Sequence, residues 1–246
     1  MKLLLDLGNT RLKWALWDGA TLQPGAAVAH AQAGDIAAAL EGIGEVQSAW
    51  IASVAAPALD AALAAALRRR GLEAQFVRSS ASACGVRSAY AQPERLGVDR
   101  FLSLIAVYAQ APAATVIASC GTALALDALA ADGTHLGGLI APAPTLMRQA
   151  LLGNTARLGD IDAATIVEMA INTADAVESG TWLAATALVE RFVVQARAQL
   201  GAAPELVLSG GGAQRLGGLL APAHRIDAHL VLRGLACYAD HHGALG

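Results

Sequence analysis

Lys2-Leu3-Leu4-Leu5-Asp6-Leu7-Gly8-Asn9-Thr10-Arg11-Leu12-Lys13-Trp14-Ala15-Leu16-Trp17 opens the chain. An apolar run ends on a carboxylate, a Gly-Asn pair tolerates positive φ, and apolar residues resume beyond it, which reads as a β-hairpin over residues 2–7 and 12–17. Downstream, the pattern predicts a third strand near residues 26–31, a helix over 35–40, a buried strand over 49–54, a helix over 57–67 and a short strand over 74–77. After a helix over 99–109 the order starts again. Strands fall at 115–118, 123–129 and 135–140, with Cys120-Gly121-Thr122 as the turn between the first two. A helix opens at Pro142, a polar loop covers 153–165, and a long helix spans 173–200. A short strand at 205–208 ends in Ser209-Gly210-Gly211-Gly212, and a helical tail covers 228–241. A duplicated strand-strand-strand-helix-strand-helix order predicts an α/β fold of two lobes, residues 1–112 and 113–246. No low-complexity linker separates them, so close packing is expected.

The 246 residues carry 17 basic and 20 acidic side chains, a formal charge of −3, and 55% of the chain is hydrophobic. That length fits one large domain or two small lobes and predicts a sizeable core. Mild acidity excludes a nucleic-acid binder, which needs a basic face for phosphates. The one basic cluster, Arg68-Arg69-Arg70, closes an alanine-rich helix, where cations meet the helix dipole. The longest uncharged run, residues 101–126, has the length of a membrane span. Gln110, Pro112, Ser119, Gly121 and Thr122 break it into a buried helix and a buried strand, so no membrane partner is expected. The start lacks a signal-peptide apolar region, and Cys84, Cys120 and Cys237 show no paired spacing; a cytoplasmic protein with reduced thiols is expected.

With only 15% of residues charged, clusters of polar residues stand out. Asp6-Leu7-Gly8-Asn9-Thr10 sets a carboxylate at a strand end before a glycine turn. Such a turn offers backbone N–H groups and a hydroxyl to phosphate oxygens, and the Asp can hold Mg²⁺ through water. A hairpin whose Asp only caps the turn is the alternative. Lys13 suits a solvated or a phosphate-facing role. Ser119–Asp127 is the counterpart in the second lobe, with Ser119 at the position of Asp6, and two glycine hairpins could grip a polyphosphate from both sides. Tyr90-Ala91-Gln92-Pro93-Glu94-Arg95-Leu96-Gly97-Val98-Asp99-Arg100 holds four charged residues of both signs within seven positions, 94–100. An Asp at a helix start beside an Arg can act as a base next to an anion-binding guanidinium; the plainer reading is an N-capping Asp99 and a surface Arg100. Gly210-Gly211 could lie against a nucleotide. Cys237 with His241-His242 is more simply a solvated pair than a zinc site.

Taken together these motifs resemble those of the type III pantothenate kinases, within the acetate and sugar kinase, heat-shock and actin superfamily. The family's Asp-x-Gly-Asn-Thr hairpin stands at residues 6–10, and its Tyr-x-x-Pro-x-x-Leu-Gly-x-Asp-Arg signature is met at every fixed position by residues 90–100. The second phosphate motif is similar to residues 119–127, Gly-Gly-x-Ile-x-Pro to residues 137–142, and the nucleotide-end glycines to Gly210 and Gly211. The resemblance implies two ribonuclease-H-like, actin-like ATPase lobes and ATP-dependent phosphorylation of pantothenate, the first step of coenzyme A synthesis. It implies Asp99 as general base, with Tyr90, Gly97, Asp99, Arg100 and Thr173 binding substrate. ATP and its phosphates fall to Asp6, Leu7, Gly8, Asn9, Thr10, Arg11, Lys13, Gly121, Thr122, Gly210 and Gly211. Mg²⁺ would be held by Asp6 through water. A monovalent cation, K⁺ or NH₄⁺, would be held by Asp127, and a homodimer would complete the pantothenate pocket with Thr173. Two residues depart from the family pattern: Ser119 replaces an Asp, and Ala143 replaces the glycine after the proline. The alternatives are a non-catalytic nucleotide-binding accessory factor and a kinase of another small hydroxylated substrate.

Overall fold

The computed structural model describes residues 1–29, 36, 38, 40–154 and 164–243. They divide into two units, Met1–Pro112 with Ala131–Leu136 and His229–Gly246, and Ala113–Ala130 with Gly137–Ala228.

The first unit contains β1 (Lys2–Leu7), β2 (Arg11–Trp17), β3 (Leu22–Pro24), β4 (Val28–Ala29), β5 (Ser48–Ser53), α1 (Pro57–Arg69), β6 (Ala74–Phe76) and a small hairpin, β7 (Ser82–Ala83) and β8 (Val86–Arg87). A 3₁₀ turn at Pro93–Arg95 leads into α2 (Val98–Gln110). The sheet order is β3-β2-β1-β5-β6, with β4 also paired to β2. β1 runs antiparallel to β2 and parallel to β5, and β5 runs parallel to β6. Of the strand expected near 26–31, β4 is the part seen; β3 precedes that span and was not expected, residues 30–31 lie outside the described residues, and so does most of the helix expected over 35–40.

β1 is buried on both faces, which is why it reads as an unbroken leucine run. Leu3, Leu5 and Leu7 pack with Leu12, Ala49, Ile51, Leu63 and Leu67, while Leu4 is fully buried on the opposite face. Strand alternation puts Asp6 on the Leu4 side. α2 is buried nearly throughout, from Phe101 to Val107. It packs against the last helix of the chain, Leu230–Gly243. The uncharged run thus resolves into α2 and the strands that follow, and among the described residues no helix is long and apolar enough to cross a membrane. Arg70 donates from its guanidinium to the carbonyls of Leu40, Ile43 and Gly44.

The second unit is built from β9 (Thr115–Cys120), β10 (Ala123–Leu129), β11 (His135–Pro142, whose first two residues group with the first unit), α3 (Pro144–Asn154), α4 (Thr173–Leu200), β12 (Glu205–Ser209), α5 (Ala213–Gly217) and β13 (His224–Ile226). The terminal helix Leu230–Gly243 is α6. The sheet order is β11-β10-β9-β12-β13, with β9 antiparallel to β10 and parallel to β12. Both sheets therefore follow one plan, three strands in a meander and two added in parallel beside the first. This is the ribonuclease-H-like arrangement, found once in each unit.

One helix boundary needs correction. Pro142 does not open a helix but closes β11; α3 begins at Pro144, with Met147 N–H donating to Ala143 O at 2.9 Å. A first-turn proline lacks an N–H that the helix would not use. The variant residue Ala143 is 1% exposed and belongs to the second core, with Val116, Leu126 and Trp182. Of the polar loop expected over 153–165, residues 155–163 lie outside the described residues.

Candidate active site

The turn after β1 closes with Gly8 N–H donating to Arg11 O at 3.0 Å. Leu7 is buried beneath it, while Asn9, Thr10 and Arg11 face solvent. Across the β1–β2 ladder Asp6 lies opposite Lys13. Burial pushes the Asp6 carboxyl up from 3.8 to about 6; Lys13 opposes this and the charge of Asp99 adds to it. Asp6, Lys13 and Asp99 thus share one electrostatic environment at the carboxyl end of β1.

Asp99 is the second residue of α2. Its Oδ1 accepts from the Arg100 backbone N–H at 2.9 Å, and Ser103 Oγ donates to its carbonyl at 2.7 Å. The N-cap is Gly97, with no side-chain capping bond, so Asp99 is not the cap. At Gly97 a Cβ would lie 2.6 Å from Asp99 Oδ1, so any side chain there would turn the carboxylate from its place. Arg100 is not a surface residue either. It is 6% exposed, donates from Nη1 to Tyr90 Oη at 3.0 Å, and lies 5.8 Å from the centre of the Tyr90 ring. The first unit therefore joins Tyr90, Gly97, Asp99 and Arg100 with the β1 hairpin.

One further residue belongs to this cluster and was not foreseen from the sequence. His135, 1% exposed, lies parallel to the Tyr90 ring at 6.1 Å between centroids. Its Nδ1 accepts from Ala89 N–H at 3.4 Å. It enters from the segment after β10, and no local spacing connects it with Tyr90.

In the second unit, Gly121 N–H donates to Ala123 O at 2.9 Å, closing a turn one residue shorter than the one at Gly8, with Gly121 and Thr122 exposed. The register equates Asp6 with Ser119, which lies opposite Ala125 and Ser209. The glycine loop after β12 seats on the end of β9. Gly210 has φ +87°, a Cβ on it would meet Cys120 O at 2.4 Å, and Gly212 N–H donates to that same oxygen at 2.9 Å. At Gly211 a Cβ would meet nothing within 4 Å, leaving bare backbone open. Asp127 is buried on β10 at 3% exposure. Thr173 is exposed in the first turn of α4, whose N-cap Asn172 accepts from Asp175 N–H at 2.9 Å.

Among the described residues no three His, Cys, Asp or Glu side chains cluster tightly enough to hold a metal by themselves. Magnesium in phosphoryl-transfer sites takes one or two carboxylates, waters and substrate phosphates. A half-buried Asp6 with a second carboxylate charge nearby suits that donor set, because a cation relieves the charge that desolvation penalises. His242 stacks on Tyr238 at 3.9 Å, a packing role for the terminal histidines.

Comparison with known proteins gives one consistent result. A family profile described as type III pantothenate kinase matches residues 2–195. A type III pantothenate kinase of Xanthomonas oryzae pv. oryzae is 45% identical over 236 residues, 96% of each chain. One of Stenotrophomonas maltophilia is 44% identical over 245 residues, 98% of each chain. Among solved structures, a Campylobacter jejuni protein assigned to the Baf family of transcriptional activators superposes with a TM-score of 0.64 at 18% identity, covering 98% of this chain and 99% of the other. A Sinorhizobium meliloti protein assigned as a 2-dehydro-3-deoxygalactonokinase gives 0.60 at 14% identity, covering 97% and 98%. At those identities the structural likenesses speak for the fold alone.

Proposed function

Because the chain belongs to the type III pantothenate kinase family, and so phosphorylates pantothenate with ATP in coenzyme A biosynthesis, we propose that Asp99 is its general base. The observation that carries this is the carboxylate held at the start of α2, over Gly97 and beside the buried guanidinium of Arg100. Asp99 takes the proton of pantothenate's primary hydroxyl. That oxygen bonds to the γ-phosphorus, the bond from phosphorus to the β,γ-bridging oxygen breaks, and ADP leaves.

Arg100 and Tyr90 bind the substrate carboxylate, and Gly97 gives the backbone close access. The β1 hairpin, residues 6–11 with Lys13, holds phosphates, and Gly121 and Thr122 lie in the turn of a second, tighter hairpin that does the same. Gly210 and Gly211 lie against the nucleotide. Positioning and charge neutralisation carry most of such a transfer. We assign Mg²⁺ to Asp6 through water, where it would neutralise phosphate charge. Asp127, a buried carboxylate, suits the monovalent cation, K⁺ or NH₄⁺.

The enzyme is proposed to act as a homodimer in the cytoplasm, with three free cysteines in accord with a reducing compartment. Leu139, Ile140, Leu151, Met169 and Ile171 are exposed apolar side chains of the second unit, and Leu151 also lines a hollow of about 620 Å³ with Pro142, Met147 and Val177 among others. A second copy would cover this face and supply Thr173.

The test is pantothenate-dependent ADP release with Mg²⁺ and K⁺ present. Asp99→Asn should lower kcat at least 100-fold, on the order of a lost general base, with nucleotide binding retained. Full turnover by Asp99→Asn would remove Asp99 from the role.

A further inference from the structure

Three facts about residues 131–136 converge on the acceptor side of the site. Gly133, at φ +82°, brings its backbone so close to Gly85 that a Cβ would lie 2.1 Å from Gly85 O. Arg87 N–H donates to Gly133 O at 2.8 Å, and the Arg87 side chain reaches Asp132 Oδ2 at 2.9 Å and Thr134 Oγ1 at 2.5 Å. Thr134 forms a parallel bridge with Arg87. The segment is thus tied to the β7–β8 hairpin by backbone, side-chain and ionic contacts, and the next residue is His135.

His135 is buried, and a buried imidazole is costly unless its nitrogens are used. Nδ1 accepts from Ala89 N–H, so in the neutral ring the proton sits on Nε2. Its ring lies parallel to and offset from Tyr90, with 13° between the planes and 6.1 Å between centroids. Tyr90 Oη in turn accepts from Arg100 Nη1. A phenol carried on a loop has two rotatable torsions. Packing the ring against a fixed imidazole, while the preceding backbone is pinned to the same ring, removes that freedom.

We propose that His135 is a positioning residue of this kinase. It fixes the Tyr90 phenol, and through it the Arg100 guanidinium, in the geometry that receives the acceptor's carboxylate. The inference rests on the assignment of Tyr90 and Arg100 to pantothenate. His135 itself touches no substrate, so its loss weakens acceptor binding more than chemistry.

Steady-state kinetics on the full-length enzyme test this with His135→Ala, His135→Phe, Tyr90→Ala and the His135→Ala/Tyr90→Ala double variant. His135→Ala should raise KM for pantothenate on the order of tenfold, the scale of one disordered charge-assisted hydrogen bond. Its kcat and its KM for ATP should stay within about twofold, the pattern of lost binding rather than lost transition-state stabilisation. His135→Phe keeps a stacking ring and should recover most of the loss. The double variant should be no worse than Tyr90→Ala, since a residue acting only through Tyr90 has nothing left to act on. An unchanged pantothenate KM in His135→Ala overturns the proposal. So does a fully additive double variant, or equal losses for ATP and pantothenate accompanied by a lowered Tm. If the wild-type enzyme phosphorylates pantothenate but Arg100→Ala leaves its KM unchanged, the assignment of the acceptor site fails instead.

Discussion

Asp6, one residue before the end of β1, sits in a place that disfavours its charge, with consequences for both stability and catalysis. Its carboxyl titrates at about 6 in the folded chain against 3.8 ordinarily. Between about pH 4 and pH 6 the unfolded chain binds fewer protons at this residue than the folded one. Its contribution to stability therefore falls as pH rises through that window. Asp6→Asn should flatten the fall, as seen in Tm measured at intervals from pH 4 to 6.5 without nucleotide or metal; an unchanged slope would place the burden on other groups. Since a divalent cation binds the ionised form, kcat/KM should rise as pH passes about 6, with an apparent pKa that moves down as Mg²⁺ is increased. Gly97 makes a second prediction at this scale. Gly97→Ala would push a methyl carbon to 2.6 Å from Asp99 Oδ1, so the carboxylate must turn away. A displacement of that size should lower kcat about 10- to 100-fold while far-UV circular dichroism stays unchanged; wild-type turnover would show that the carboxylate's place is not critical. The eleven residues ending in Asp99-Arg100 carried this cluster in plain sequence because they are contiguous. His135 was illegible, since a ring stack between distant segments leaves no periodic or spacing signal.

Long elements were readable from their own chemistry, and short ones were not. α4 begins where Asn172 can cap it and ends where Gly201 takes φ +67°, and both signals are local. β1 and β2 were framed by a Gly-Asn turn. The β7–β8 hairpin, α5 and β13 hold two to five residues each, too few for a period to show. The start of α3 was misread by two residues because Pro142 and Pro144 are equally plausible first-turn prolines. Only the pairing of β11 with β10 decides between them. The association of α6 with α2 is also a tertiary matter, and it rests on one missing side chain. At Gly234 a Cβ would lie 1.9 Å from Leu102 O and 2.6 Å from its carbonyl carbon. These are backbone atoms of a buried helix and cannot rotate aside. Gly234→Ala should therefore destabilise the protein by about 3 kcal/mol despite the better helix propensity of alanine. A reduced urea midpoint with an unchanged m-value would show it. Because α2 carries Asp99 and Arg100, part of the same strain should appear as a lower kcat; a variant of wild-type stability would mean the helices separate freely.

At the scale of the whole chain, the two sheets share one strand order, yet their hairpins differ where β1 carries Asp6 and β9 carries Ser119. The fold was legible because the pattern repeats, and the asymmetry because the repeat can be aligned residue by residue. The exposed apolar side chains of the second unit are where the proposed second copy would bind. Ile140 is 65% exposed, Met169 90% and Ile171 100%. A twofold contact brings the same patch of both copies together, so a charge introduced there is desolvated twice and meets its own image. In a monomer the same charge stays in water at little cost. Ile140→Asp should therefore keep its Tm within a few degrees when measured as a monomer but shift sedimentation from dimer to monomer at micromolar concentration. If Thr173 from the second copy completes the acceptor site, that monomer should also lose pantothenate turnover while still binding ATP, and Thr173→Ala should raise the pantothenate KM without dissociating the dimer. A wild-type monomer, or an Ile140→Asp monomer with full turnover, would show that each chain carries a complete site by itself.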